Sequence, residues 1–220
     1  MKTMKPRVFV SRNIPDKGLD LMRGKVSLEV WPGEDNPGRD VFLEKAASCH
    51  GLVVIPGDPI DSEVLAAGKF LKIVSCYAVG YDSIDVNAAT ELGIMVTNTP
   101  DVLTETTADL AFGLLLAAAR RIGEGDRVIR SGAWKHWGPR FMLGQDVSGA
   151  TLGLIGMGRI GQAVCRRAKS FGMNLNYFAR HRNESAEREY GARYMEMEAL
   201  LAMSDFVSLH CPLTPSTEGL

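Results

Sequence analysis

Along the first hundred residues, short apolar runs alternate with stretches of helical period. Val8–Val10, Val26–Trp31, Leu52–Ile55, Leu71–Cys76 and Met95–Thr97 are predicted strands. Between them Asp16–Met22, Arg39–Cys49, Ser62–Ala67 and Ile84–Leu92 are predicted helices. Strands and helices in strict alternation predict a mostly parallel sheet covered by helices on both faces. The pattern changes at Thr99–Asp101, where Pro100 punctuates the chain, and Thr104–Arg121 follows as one long helix with Thr106 and Asp109 at capping-box spacing. Gly123–Ser148 has no clear period, and a stretch of that length inside a compact fold reads as an arm, a lid or an interface. Apolar periodicity resumes with a strand at Leu152–Ile155, a helix over Arg159–Gly172 and a strand at Asn174–Ala179. A weak strand at Ala192–Met195, a short helix at Met197–Met203 and a strand at Phe206–Cys211 complete the pattern. The expected architecture is α/β, with two doubly wound parallel-sheet domains at 1–99 and 100–220, and an arm at 123–148 inside the second.

The chemistry concentrates where the strand Leu152–Ile155 meets three glycines. Gly156, Gly158 and Gly161 have the G-x-G-x-x-G spacing of a dinucleotide-binding turn, and the strand before and helix after supply the context that spacing requires. Gly156 allows the tight turn, Gly158 lets backbone approach a pyrophosphate, and Gly161 lets the helix pack close to the sheet. The first amides and the dipole of that helix would face the phosphates.

Composition narrows the classes without choosing among them. The 220 residues carry 45% hydrophobic and 23% charged side chains, as globular proteins do. Lys and Arg total 25 against 26 Asp and Glu, a net charge of -1, so no global field points to nucleic acid or a membrane surface. Cys49, Cys76, Cys165 and Cys211 are widely spaced, without a C-x-x-C pair, and read as small buried residues of a reducing compartment. Lys2 and Lys5 precede no apolar stretch of signal-peptide length, and the run Leu114–Ala119 is far too short to span a bilayer. A cytoplasmic location is the expectation. No metal-ligand spacing stands out.

Four separated stretches, Ser75–Asp85 (SCYAVGYDSID), Thr99–Leu116 (TPDVLTETTADLAFGLLL), the glycine turn and Leu209–Leu220 (LHCPLTPSTEGL), together resemble the D-isomer-specific 2-hydroxyacid dehydrogenases over essentially the whole chain, and within them the glyoxylate and hydroxypyruvate reductase branch. The resemblance implies a flavodoxin-like substrate-binding (catalytic) domain and a Rossmann NAD(P)-binding domain, the second incomplete at its C-terminus. It implies hydride transfer between a nicotinamide and a small 2-oxo or 2-hydroxy acid, in a homodimer. It places the substrate carboxylate at Val79 and Gly80, with Trp137 of the arm reaching toward the partner's substrate pocket. It places Thr106, Gly156, Gly158, Arg159, Ile160, Gly161, Arg180, His181, Arg182, Cys211 and Pro212 at the cofactor. The family's catalytic arginine, glutamate and histidine fall beyond Leu220, so no catalytic residue is assigned and the 220 residues alone are expected to be inactive.

Some of these positions have plainer readings. Gly80, taken by itself, is explained as well by a turn, and Trp134 and Trp137 could fill a small core of the arm. His50, His136, His181 and His210 sit in surface or core contexts.

Cofactor choice follows from the end of the second strand of the glycine unit. An NAD site usually has Asp or Glu there, about 20 residues past the glycines, to bind the ribose hydroxyl. Here the place reads Phe178-Ala179-Arg180-His181-Arg182, without an acid and with two arginines. Arginine forks suit a 2′-phosphate, so NADP(H) is expected to be preferred over NAD(H), the other explanation being a solvated basic loop. The rival function is a dinucleotide-sensing, corepressor-like binding protein of the same fold; relatives acting on formate, phosphite or a phosphorylated serine precursor differ only in the pocket.

Overall fold

The computed structural model describes residues 4–220, so Lys2 lies outside the described residues. The chain forms two compact units, Met1–Asp101 and Val102–Leu220.

In the first unit the elements run β1 (Arg7–Val10), α1 (Asp16–Met22), β2 (Ser27–Val30), α2 (Arg39–Ser48), β3 (Gly51–Val54), α3 (Ser62–Ala67), β4 (Ile73–Cys76), α4 (Val86–Glu91) and β5 (Met95–Thr97). The strands pair in parallel in the order β2-β1-β3-β4-β5, the 2-1-3-4-5 order of the flavodoxin-like fold. Apolar runs make this possible: Phe9, Val10, Leu52, Val54, Val74 and Cys76 are all buried, in a sheet covered on both faces. Phe42 of α2 packs edge-on against Phe9 with ring centroids 6.4 Å apart. Asp61 and Asp85 start α3 and α4 by accepting from the Val64 amide at 3.0 Å and the Ala88 amide at 2.9 Å.

The second unit runs α5 (Thr104–Ala119), α6 (Ile122–Arg130), β6 (Thr151–Ile155), α7 (Arg159–Ser170), β7 (Asn174–Phe178), α8 (Glu184–Tyr190), β8 (Arg193–Tyr194), α9 (Met197–Met203) and β9 (Phe206–Leu209). Its four strands are parallel in the order β8-β7-β6-β9, which matches the 3-2-1-4 portion of a Rossmann sheet. The core lies between β6, β7, α5 and α7, where Leu152, Leu154, Val164, Ala168 and Tyr177 are fully or almost fully buried. Arg167 of α7 lies between Glu105 and Asp109 of α5, at 3.0 Å from Glu105, and pins the two helices together.

Several expectations are corrected. The long helix stops at Ala119, because Arg121 adopts a left-handed backbone (φ 54°) and a second helix starts there. That second helix, α6, occupies the start of the stretch read as irregular; Ile122, Val128 and Ile129 give it an apolar side at helical spacing, but it is short, carries Gly123 and Gly125 and buries no side chain. Arg121 holds its first turn by gripping Glu124 at 2.7 and 2.8 Å. Thr106 and Asp109 form no capping box: the cap position is Leu103, Thr106 Oγ1 donates to the Leu103 carbonyl, and Asp109 is taken by Arg167. α8 has no counterpart among the predicted elements, since Ala186 is its single buried residue; Asn183 caps it and Gly191 (φ 73°) ends it. The last strand ends at Leu209, two residues short of the expected end. No helix among the described residues is long and apolar enough to cross a membrane, and these residues hold no cluster of metal-ligating side chains.

Candidate functional site

The three glycines of the turn do three different things. Gly156 has φ 100°, and a Cβ on it would lie 2.6 Å from the His210 carbonyl carbon, so the end of β6 passes directly against the chain leaving β9. A Cβ on Gly161 would lie 2.3 Å from the Gly156 carbonyl oxygen, so α7 sits closer to the turn than any side chain permits. A Cβ on Gly158 would meet nothing within 4 Å. The empty side of Gly158 faces a cavity of about 590 Å³.

The carboxyl ends of β6, β7 and β9 build that cavity, the place where open α/β sheets take ligands. Gly156, Gly158, Arg180, His181, Cys211 and Pro212, all expected at the cofactor, line it together. Thr106, Arg159, Ile160, Gly161 and Arg182 are not among its lining residues. Gly161 acts through close packing, while Arg159 and Ile160 begin the first turn of α7, whose cap residue Gly158 offers no side chain to its amides. Those amides suit an anion. Glycine clearances, helix start and cavity size therefore fit a dinucleotide.

The two arginines separate. Arg182 turns to α8, where its guanidinium pairs with Glu187 at 2.7 Å and its carbon lies 6.0 Å from the Tyr194 ring centroid. Glu187 also accepts from the Tyr177 hydroxyl at 2.7 Å, and these donors hold its carboxyl below the usual carboxylate range, Arg182 first. Arg180 is exposed, lines the cavity and has no ion-pair partner among the described residues. No Asp or Glu lines this cavity. His210, also in the wall, bonds Ser208 Oγ through Nε2 at 2.8 Å, and burial lowers its pKa from the ordinary histidine value.

Sequence reasoning missed part of this wall: Phe178, Met197, Thr214, Ser216 and Thr217. The TPST segment carried a signal in its turn chemistry, for Thr217 Oγ1 donates to the Pro212 carbonyl at 2.7 Å and accepts from the Thr214 amide at 2.8 Å.

In the first unit, Val79 and Gly80 lie in the loop that leaves β4. The Val79 carbonyl accepts from Asn98 Nδ2 at 2.9 Å and the Gly80 carbonyl from Cys76 Sγ at 3.2 Å. Neither amide donates to a protein acceptor among the described residues. Gly80 is not in the left-handed region, and its Cβ position lies 3.2 Å from Asp82 Oδ1, so its value lies in exposing backbone rather than in a special φ. An unforeseen cluster stands at the ends of β1 and β3. Asp58, fully buried, accepts from Ser11 Oγ at 2.5 Å, the Ile55 amide at 3.0 Å and Asn36 Nδ2 at 3.3 Å, with Arg12 at 3.4 Å. Its donors are scattered over 47 positions of sequence, which no local motif reveals.

Among the remaining site residues, Trp137 is 78% exposed and Trp134 is 50% exposed, so neither fills a core of the arm within one chain. Thr106 is exposed at the start of α5. His50 accepts from the Arg7 amide at 3.1 Å, and His136 is exposed.

A parallel α/β unit with a glycine turn, an uncapped helix start and a cavity at its strand ends defines a dinucleotide-binding protein of the doubly wound class. Residues 112–220 match the family described as D-isomer specific 2-hydroxyacid dehydrogenase, NAD binding domain. A glyoxylate reductase from Korarchaeum cryptofilum is 56% identical over 215 residues, 97% of this chain and 65% of that protein. Among solved structures, the TT0316 protein from Thermus thermophilus superposes with TM-score 0.88 at 47% identity, over 96% of this chain and 66% of that one. A glyoxylate reductase from Paecilomyes thermophila does so with TM-score 0.81 at 33% identity, over 98% and 67%. The chain belongs to the D-isomer-specific 2-hydroxyacid dehydrogenase family. It spans 65% of the length of the Korarchaeum relative.

Proposed function

We propose that the chain is part of a homodimeric, NADP(H)-dependent reductase of small 2-oxo acids, glyoxylate and hydroxypyruvate foremost, working in the cytoplasm. The family supports the reaction class, and relatives named glyoxylate reductase support the size of the acid. The observation that carries the cofactor choice is the cavity wall after β7, which presents Arg180 unpaired and no carboxylate. An exposed guanidinium there offers a planar fork to a 2′-phosphate, while NAD would find no acid for its ribose hydroxyl.

Each residue has a defined task in this reading. Gly156 and Gly158 clear the path for a pyrophosphate, and the amides at Arg159 and Ile160 receive its charge. His181, Cys211 and Pro212 wall the cofactor, and Thr106 stands at the start of the helix packed on α7. The amides of Val79 and Gly80 hold the substrate carboxylate, since donors aimed at an anion are a strong form of hydrogen bond. Bound NADPH supplies the hydride for the 2-oxo carbon. Trp137, too exposed for a core, is assigned to the neighbouring subunit's substrate pocket. The test is steady-state reduction of glyoxylate, hydroxypyruvate and larger 2-oxo acids by the full-length protein, with NADPH and with NADH. The reading requires the highest kcat/KM with a two- or three-carbon acid and NADPH; preference for a bulky acid, or dinucleotide binding without turnover, would replace it.

A further inference from the structure

The loop after β4 is held by its carbonyls. The Ala78 carbonyl accepts from the Thr99 amide at 2.8 Å, that of Val79 from Asn98 Nδ2 at 2.9 Å, that of Gly80 from Cys76 Sγ at 3.2 Å, and that of Tyr81 from the Ile84 amide at 3.0 Å. A trans peptide is planar, so the N–H of each unit points opposite to its C=O. Anchoring the Val79 carbonyl therefore fixes the direction of the Gly80 amide, and anchoring the Gly80 carbonyl fixes that of Tyr81. The amides of Val79, Gly80 and Tyr81 have no protein acceptor among the described residues. Four consecutive acceptors are satisfied, while the amides from Ala78 to Ser83, those of Val79, Gly80 and Tyr81 among them, are left without a protein acceptor among the described residues.

We infer that Asn98 is a positioning residue for substrate: by donating Nδ2 to the Val79 carbonyl, it aims the Gly80 N–H at the substrate carboxylate. The inference rests on the reading of this loop as the carboxylate clamp. Asn98 is half-buried just past the end of β5, so its amide reaches Val79 from a neighbouring strand. The other anchor of the clamp, Cys76, has a thiol that donates weakly, and burial raises its pKa, so it stays a neutral donor to Gly80. Asn98 is the stronger side-chain anchor of the two. Freed from it, the Val79–Gly80 peptide can rotate, and a charge-assisted hydrogen bond to the carboxylate is lost or bent.

The test compares Asn98→Leu, which keeps the volume and removes the donor, with Asn98→Gln, which keeps a donor on a longer stem. In the full-length protein, Asn98→Leu should raise KM for glyoxylate and the inhibition constant of oxamate together by about tenfold, the loss of one charge-assisted hydrogen bond. The Kd for NADPH and the melting temperature should stay near wild type, and Asn98→Gln should fall between the two proteins. A purely structural Asn98 would move melting temperature and NADPH affinity along with KM, which overturns the inference, as would Leu-variant constants within twofold of wild type. The Gly80 amide resonance separates the two levels of argument. If oxamate does not shift it in the wild-type protein, the clamp itself is misassigned; if oxamate shifts it equally in wild type and in Asn98→Leu, the clamp stands and Asn98 has no part in it.

Discussion

Two glycines three residues apart should respond to the same substitution in opposite ways. In Gly161→Ala the new methyl would lie 2.3 Å from the Gly156 carbonyl oxygen and 3.2 Å from its carbonyl carbon, both backbone atoms. Neither can swing aside as a flexible side chain would, so α7 must move off the turn. Overpacking of this kind costs about 1–3 kcal/mol, and a backbone clash belongs at the upper end. Helix propensity returns less than about 1 kcal/mol of this. The net loss of about 2 kcal/mol should lower the melting temperature by roughly 4–8 °C for a chain of this size. In Gly158→Ala the methyl meets nothing within 4 Å, and φ of -77° is open to any residue, so stability should change by less than about 1 kcal/mol. Its methyl instead enters the cavity where a pyrophosphate must approach. Losing one phosphate–amide bond costs about 1.5–3 kcal/mol, or about ten- to a hundredfold in dinucleotide affinity. Differential scanning fluorimetry and titration of NADPH into both variants measure the two axes. A Gly161→Ala protein as stable as wild type, or a Gly158→Ala protein binding NADPH with undiminished affinity, would refute the division of labour.

Three further outcomes are expected. Arg180→Ser should cut the ratio of kcat/KM with NADPH to that with NADH by about tenfold, and Arg182→Ala by much less because Glu187 already holds that side chain; a wild-type ratio at or below one would remove the basis for both. Trp137→Ala should raise KM for the 2-oxo acid with little change in melting temperature, since the ring is 78% exposed; an unchanged KM together with an unchanged dimer in sedimentation would withdraw the arm's role. Burial lowers the His210 pKa from 6.5, so folding favours the neutral ring: the stabilisation is present above the unfolded value and is lost as pH falls through it toward the folded one. Melting temperatures of His210→Gln should therefore fall less steeply than wild type on acidification, and parallel slopes would count against the assignment.

What the sequence revealed is what is local. The glycine turn is legible because strand, turn and helix start fall within eleven residues; Gly161 answers to Gly156 inside that stretch, Gly156 to the chain leaving β9, and Gly158 to open space. The parallel character of both sheets follows from alternation of apolar runs with helices, since parallel neighbours need crossovers; their strand order does not. What stayed hidden is short and buries little. α6 contains Gly123 and Gly125 and buries nothing, and α8 is charged along most of its length. Asp58 gathers partners from the turn just after β1, the loop before α2 and its own loop, a convergence that exists only after folding.

The unread helix α8 bears directly on cofactor choice. Tyr177 has a fully buried ring at the centre of the second unit, and a hydroxyl in that position needs partners. It donates to Glu187 at 2.7 Å and accepts from the Asn183 amide at 2.7 Å, tying the turn after β7 to the first turns of α8. Asn183 Nδ2 in turn donates to the Met157 carbonyl at 3.1 Å, inside the glycine turn itself. The segment between Phe178 and Asn183 is thus fixed at both ends by bonds to β7, α8 and the glycine turn. Glu187 of α8 neutralises Arg182 of this segment outside the cavity, and Arg180, two residues earlier, is left on the cavity wall without a carboxylate. Two arginines that look equivalent in the sequence are made unequal by one glutamate five residues farther along. Counting basic residues at the end of this strand therefore overstates the charge offered to a 2′-phosphate; what matters is which guanidinium the following helix has already claimed.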